Sequence, residues 1–238
     1  MDETILGVME LDCSGLSARD INQSVRHGLS RHVTRFVLQS LAGQHNIGVG
    51  ITERAAFDVQ GDLGYYAFAM CDGVEVRISG HVGWGLAENL MSGLIIVEGH
   101  AGSSAAPTIR GGTVVIAGDS GPRTGIAMKG GTIIVGGDVG YMSGFMMQKG
   151  TMVVLGNAGP GLGDSMYAGR IFVAGHIAEL GNDAQIEAVT DAEYDELNGL
   201  LMPFADILTI PSAFRKVVSA GTLHHFDKKE MARWKTAL

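Results

Sequence analysis

Seven polar residues recur at one spacing through the middle of this sequence: Asp62, His81, His100, Asp119, Asp138, Asn157 and His176 lie 19 positions apart. Carboxylates and imidazoles in such a run could hold a metal ion, with His81 and His100 as adjacent nitrogen ligands if successive repeats stack. The favoured reading is structural. Asp and Asn at turns bond nearby backbone, and His is among the residues that tolerate unusual φ/ψ. Gly159-Pro160-Gly161-Leu162-Gly163 has the look of a phosphate-loop fragment, but no strand-turn-helix unit with a downstream acid accompanies it, so it reads as one more corner. His224-His225 lack a third ligand at a sensible spacing and read as a solvated turn. Cys13 and Cys71 make neither a CxxC pair nor a disulfide framework. No Ser/His/Asp, Cys/His or paired-carboxylate arrangement suits nucleophilic or acid–base work. No catalytic, cofactor-binding or metal-ligating residue is assigned on these grounds.

The polar run belongs to a longer pattern. Gly61, Gly80, Gly99, Gly118, Gly137, Gly156 and Gly175 precede its members, and all but the last are followed three positions later by another glycine; the last copy has Ala178. Most of the 36 glycines lie between Gly61 and Gly181, whereas the chain has only 5 prolines and no G-X-Y period, which excludes collagen. Before each repeat glycine stands a β-branched run such as Ile95-Ile96-Val97 or Ile133-Ile134-Val135. One strand, one G-x-x-G corner and a second arc in 19 residues is too short for a βαβ crossover. It suits one coil of a single-stranded parallel β-helix.

Stacked coils turn the repeat into columns whose members sit about 4.8 Å apart. Phe57, Val76, Ile95, Val114, Ile133, Met152 and Ile171 make one inward column, and Val59, Ile78, Val97, Ile116, Val135, Val154 and Val173 another. Cys71, Leu90, Ile109, Met128, Met147 and Met166 face them from the second arc, where the methionines read as core filler. The corner glycines are expected to supply φ > 0 and room for the neighbouring coil. Tyr65 and Trp84 share a repeat position and should pack on one edge. Between the inward columns runs an outward one, Asp58, Arg77, Ile96, Val115, Ile134, Val153 and Phe172, apolar over its last five members. An apolar ribbon there must be covered. Two covers are open: the helix bearing Leu197 and Leu201, or a partner polypeptide, for which Ile96, Val115, Ile134, Val153 and Phe172 are the candidate interface.

The flanks differ. Ser17 caps a helix with Ile21 and Val25 on one face and Gly28 as its stop, Arg31 to Leu41 is ambiguous between helix and strand, Thr190 caps a second helix, and Asp227-Lys228-Lys229-Glu230 opens a last one with Met231 and Trp234. The expected organisation is a helical or extended arm over 1–56, the β-helix over 57–181 and a helical extension over 182–238. A net charge of −8 leaves no footprint for nucleic acid or anionic lipid. With 46% apolar residues but no window approaching the roughly 18 needed to span a bilayer, and no basic leader before an apolar run, the chain reads as cytoplasmic.

Gly118-Asp119-Ser120-Gly121 through Met128-Lys129-Gly130-Gly131-Thr132-Ile133-Ile134-Val135 resembles a rung of the GXGXG β-helix domain, which closes the glutamate synthase large subunit and also occurs as the β-helix subunit of formylmethanofuran dehydrogenase. The flanks, Gly15-Leu16-Ser17-Ala18-Arg19-Asp20-Ile21-Asn22-Gln23, Phe214-Arg215-Lys216-Val217-Val218 and the stretch from His225 to Glu230, resemble the stand-alone glutamate-synthase-like subunits, such as the one found in N-methylglutamate synthase, also called methylamine-glutamate N-methyltransferase. The resemblance implies a right-handed β-helix that acts as a non-catalytic scaffold in a hetero-oligomer. It implies a glutamine-amidotransferase-like partner and a large synthase-like partner carrying FMN and an iron–sulfur cluster, with neither cofactor on this chain. The implied reaction is methylamine plus L-glutamate to N-methyl-L-glutamate plus ammonia. A split glutamate synthase and a formylmethanofuran dehydrogenase or formyltransferase complex are the alternatives.

Overall fold

The computed structural model describes residues 7–223. The helix expected from Asp227 and the pair His224-His225 lie outside them. Within them the β-branched runs form strands in the expected register: β3 (Ala56–Leu63), β4 (Asp72–Ile78), β5 (Ser92–Val97), β6 (Thr113–Ile116), β7 (Lys129–Val135), β8 (Lys149–Val154) and β9 (Arg170–Val173). Each pairs in parallel with the next. Phe57 sits opposite Val76, and the column continues through Ile95, Val114, Ile133 and Met152 to Ile171. The result is a parallel β-solenoid of about 7 turns with about 19 residues per turn.

All three inward columns are buried. A fourth lies at the corner, where Leu63, Val82, Ala101, Ser120, Val139, Ala158 and Ile177 join coil to coil through single parallel bridges. Its only hydroxyl, on Ser120, is 2.5 Å from that of Thr124, which donates to the Gly121 carbonyl. Among the described residues no buried side-chain polar atom is left without a partner.

The stack begins before the repeat does. The ambiguous segment is strand β2 (Arg35–Gln44), parallel both to β3 and to β1 (Val8–Asp12). Between β1 and β2 runs α1 (Ala18–Ser30), opened by the expected capping box of Ser17 and Asp20. Gly28 does not stop it. Gly28 is buried two residues before the helix ends, and a Cβ there would lie 2.7 Å from the ring of Phe36, so its small size serves packing. Helix α1 also closes the first coil: Asn22 accepts from the Gly48 N–H and donates to the Asn46 carbonyl, and Arg26 donates to the Val49 carbonyl. Side chains thus satisfy backbone groups that a preceding coil would otherwise meet.

At the other end β11 (Arg215–Ser219) pairs antiparallel with β9, and β10 (Ala184–Glu187) pairs antiparallel with β11. Between these strands lies α2 (Asp191–Leu201), capped by Thr190 and Glu193 as expected.

Candidate functional site

The polar run is an unbroken hydrogen-bond ladder on the outside of the corner. The backbone N–H of each member donates to the side chain of the member one coil earlier: His81 to Asp62 Oδ1 (2.7 Å), His100 to His81 Nδ1 (3.0 Å) and Asp119 to His100 Nδ1 (2.8 Å). Asp138, Asn157 and His176 continue it onto Asp119, Asp138 and Asn157. The His81 and His100 rings stack at 5.2 Å, with planes 9° apart. Both Nδ1 atoms are therefore engaged as acceptors of backbone N–H groups, and no group of three or more potential metal-ligating side chains occurs among the described residues.

The corner glycines correct half of the expectation. Of the seven repeat glycines only Gly61 has positive φ. The others are glycine because of crowding: a Cβ on Gly80 would collide with Asp62 Oδ1, and one on Gly137 would collide with Asp119 Oδ1. Backbone of the preceding coil adds to the obstacle, with the Gly61 carbonyl oxygen 2.5 Å from a Cβ on Gly80 and the Gly156 carbonyl oxygen closer still to one on Gly175.

Positive φ is concentrated in the second arc. Tyr66, Phe68 and Met70 all have it, as do Gly85, Ala87 and Asn89 in the next coil, and Ser104, Ala106 and Thr108 in the one after. Successive positive-φ residues send their N–H groups to opposite neighbours: Tyr66 donates to Trp84 and Met70 to Glu88 on the following coil, while Phe68 donates to Ile47 on the preceding one. These bonds tie each arc to the coils on both sides of it. L-residues in this region cost about 1–3 kcal/mol each, so the pattern persists only because the stack imposes it.

Tyr65 stacks between His45 (4.4 Å) and Trp84 (5.4 Å), as its shared repeat position suggested. The rings remain substantially exposed.

The outward apolar stripe is covered by the chain itself. Val115, Ile134, Val153 and Phe172 are fully buried in a second cluster with Leu155, Leu197, Leu201 and Leu208, against which Phe204, Ile207, Ile210 and Phe214 also pack. Those four residues are therefore not available to a partner, and only Ile96 remains half-buried. The cover is the α2 helix and the segment following it, one of the two covers left open by the sequence. Ion pairs clamp it: Arg170 on β9 donates to both Glu196 oxygens (2.8 and 2.6 Å), and Lys216 on β11 reaches Glu193 (3.0 Å) and Glu187 (3.2 Å). Bonds from the Thr190 backbone and Lys216 hold the Glu193 carboxyl below its usual range, and Arg170 does the same for Glu196. The Lys216 ammonium is raised, chiefly by its bond to Glu193.

Both cysteines are buried and free, and burial pushes the Cys71 thiol up to about 11. This is the environment of an inert core thiol rather than of a nucleophile. No described helix is long and apolar enough to cross a membrane.

No family model matches the sequence. A stretch of 89 residues is 39% identical to Protein GlxC of Rhizobium meliloti (strain 1021), covering 37% of this chain and 39% of that protein.

Proposed function

We propose that this chain is a non-catalytic scaffold subunit of a glutamate-synthase-like complex, and specifically of an N-methylglutamate synthase acting in the cytoplasm. The observation that carries the reading is the regular solenoid itself. Its residues go into columns, ladders and caps, and its rungs resemble the GXGXG β-helix domain of the glutamate synthase large subunit. The partial likeness to Protein GlxC supports a relationship of the same kind.

In this reading the chemistry belongs to partners. A glutamine-amidotransferase-like protein and a large synthase-like protein carry it, the latter with FMN and an iron–sulfur cluster. Among the described residues the two cysteines are buried and the Nδ1 atoms of His81 and His100 already accept backbone N–H groups, which supports placing the iron–sulfur cluster on a partner. The role left to the chain is to hold the others in register on a rigid body.

The test is to purify the native complex through this chain and supply it either with L-glutamate and methylamine or with 2-oxoglutarate, ammonia and a two-electron reductant. N-Methylglutamate from methylamine is expected. Glutamate formation with ammonia and 2-oxoglutarate, and none with methylamine, would replace the reading by a split glutamate synthase. Recovery of the chain without large partners would contradict the scaffold role.

A further inference from the structure

Where the second arc returns to the strand, three cations stack on consecutive coils. Lys129 opens β7 and sits directly opposite Lys149 at the start of β8. A register shift in that pairing puts Lys149 there, although Gln148 occupies the strict 19-residue position. On the other side the Lys129 N–H donates to the Ile109 carbonyl at 2.8 Å, which places Lys129 over Arg110. Arg110 and Lys149 are exposed and Lys129 is half-buried.

Like charges facing each other across adjacent strands repel. Several strand cations elsewhere in the fold are matched: Arg77 reaches Glu98, Arg170 reaches Glu196 and Lys216 reaches Glu193. Among the described residues none of Arg110, Lys129 and Lys149 has an ion pair or a side-chain hydrogen bond, in a chain whose acids outnumber its bases 25 to 17. We propose that this cation ladder is a docking surface for a carboxylate-rich segment of a partner polypeptide. Two strand spacings make it a line about 10 Å long. That geometry fits an extended peptide carrying several carboxylates better than a single phosphate, and a net charge of −8 opposes a long phosphate polymer. The inference deepens the scaffold reading by giving one partner surface its chemistry, and it rests on that reading only for the existence of a partner.

The full chain is titrated with fluorescein-labelled hexaglutamate, followed by anisotropy at low and high salt, with tripolyphosphate as a competing probe. Salt-sensitive binding is expected. Combining Arg110→Gln, Lys129→Gln and Lys149→Gln should weaken it at least tenfold, without lowering the melting temperature, because repulsion is removed. Combining Arg19→Gln, Arg31→Gln and Arg54→Gln changes net charge equally and should weaken it less than threefold. The exposed single change Lys149→Gln should cost about threefold, which keeps the test readable if the triple variant folds poorly. Absence of binding, equal losses in both triple variants, or tighter binding of tripolyphosphate than of peptide would each overturn the proposal. A chain that binds hexaglutamate yet is recovered alone from cells would instead contradict the scaffold reading and leave the ladder standing.

Discussion

At the scale of single residues, the polar ladder and the second arc carry separate consequences. Removing one ladder acceptor leaves the N–H above it to water. His100→Ala should therefore destabilise the chain by about 0.5–1.5 kcal/mol in denaturant unfolding. His100→Asn should recover most of that, since Asn157 already plays the same part toward His176. Equal stability of both variants and the parent would show that the ladder contributes nothing. In the arc, Met70 has φ 56° and is 51% exposed, so its strain is not offset by burial. Asn tolerates that conformation and occupies the same column at Asn89. Met70→Asn should raise the unfolding free energy by up to about 1 kcal/mol, and a lower midpoint would contradict the left-handed assignment. Cys13 and Cys71 should resist a thiol reagent in the native state and both react on unfolding; titration of free thiols with and without denaturant checks it.

At the scale of elements, the decisive contact is the C-terminal segment on the solenoid. Ile134→Asp places a charge beneath Leu197, Leu201 and Leu208, and the cheapest relief is for the segment to lift. Hydrogen exchange should then speed up in 191–201 while β4 and β5 keep their protection; unchanged protection of α2 would contradict the packing. Acid should act on the same contact. Glu193 and Glu196 have folded values below their usual 4.5, so their contribution is complete above that value and is lost as the pH falls through the lower, folded values. Lys216 works in the opposite sense, its share being complete below 10.5 and lost only at more alkaline pH. Exchange in α2, corrected for intrinsic rates, should therefore be flat from pH 8 to 6 and rise below about 4.5 before the coils open.

At the scale of the whole molecule, the coils were legible because a strict period needs no knowledge of partners: Val76, Ile95 and Val114 are apolar at one spacing, and stacking follows. What covers the stripe was not legible, since the pattern of Leu197 and Leu201 shows that α2 has an apolar face but not where that face docks. The second arc was hidden because its left-handed positions carry Phe68, Ala87 and Thr108, residue types that ordinarily avoid such angles. The cation ladder was hidden by the register shift that substitutes Lys149 for Gln148. The proposed scaffold role asks for a rigid body of solenoid, caps and cover, and that rests on consecutive coils lying in direct contact. Thr113 pairs with Thr132, and Thr132 with Thr151 one coil further on. Adjacent strands place Cα atoms within the roughly 4.4–6.8 Å that a disulfide spans, while two coils exceed it. The most direct measurement is oxidative cross-linking of paired cysteine variants of the native chain. Thr113→Cys with Thr132→Cys should form a disulfide readily and Thr113→Cys with Thr151→Cys should not; the reverse order of yields, or equal yields, would contradict the stacked spiral.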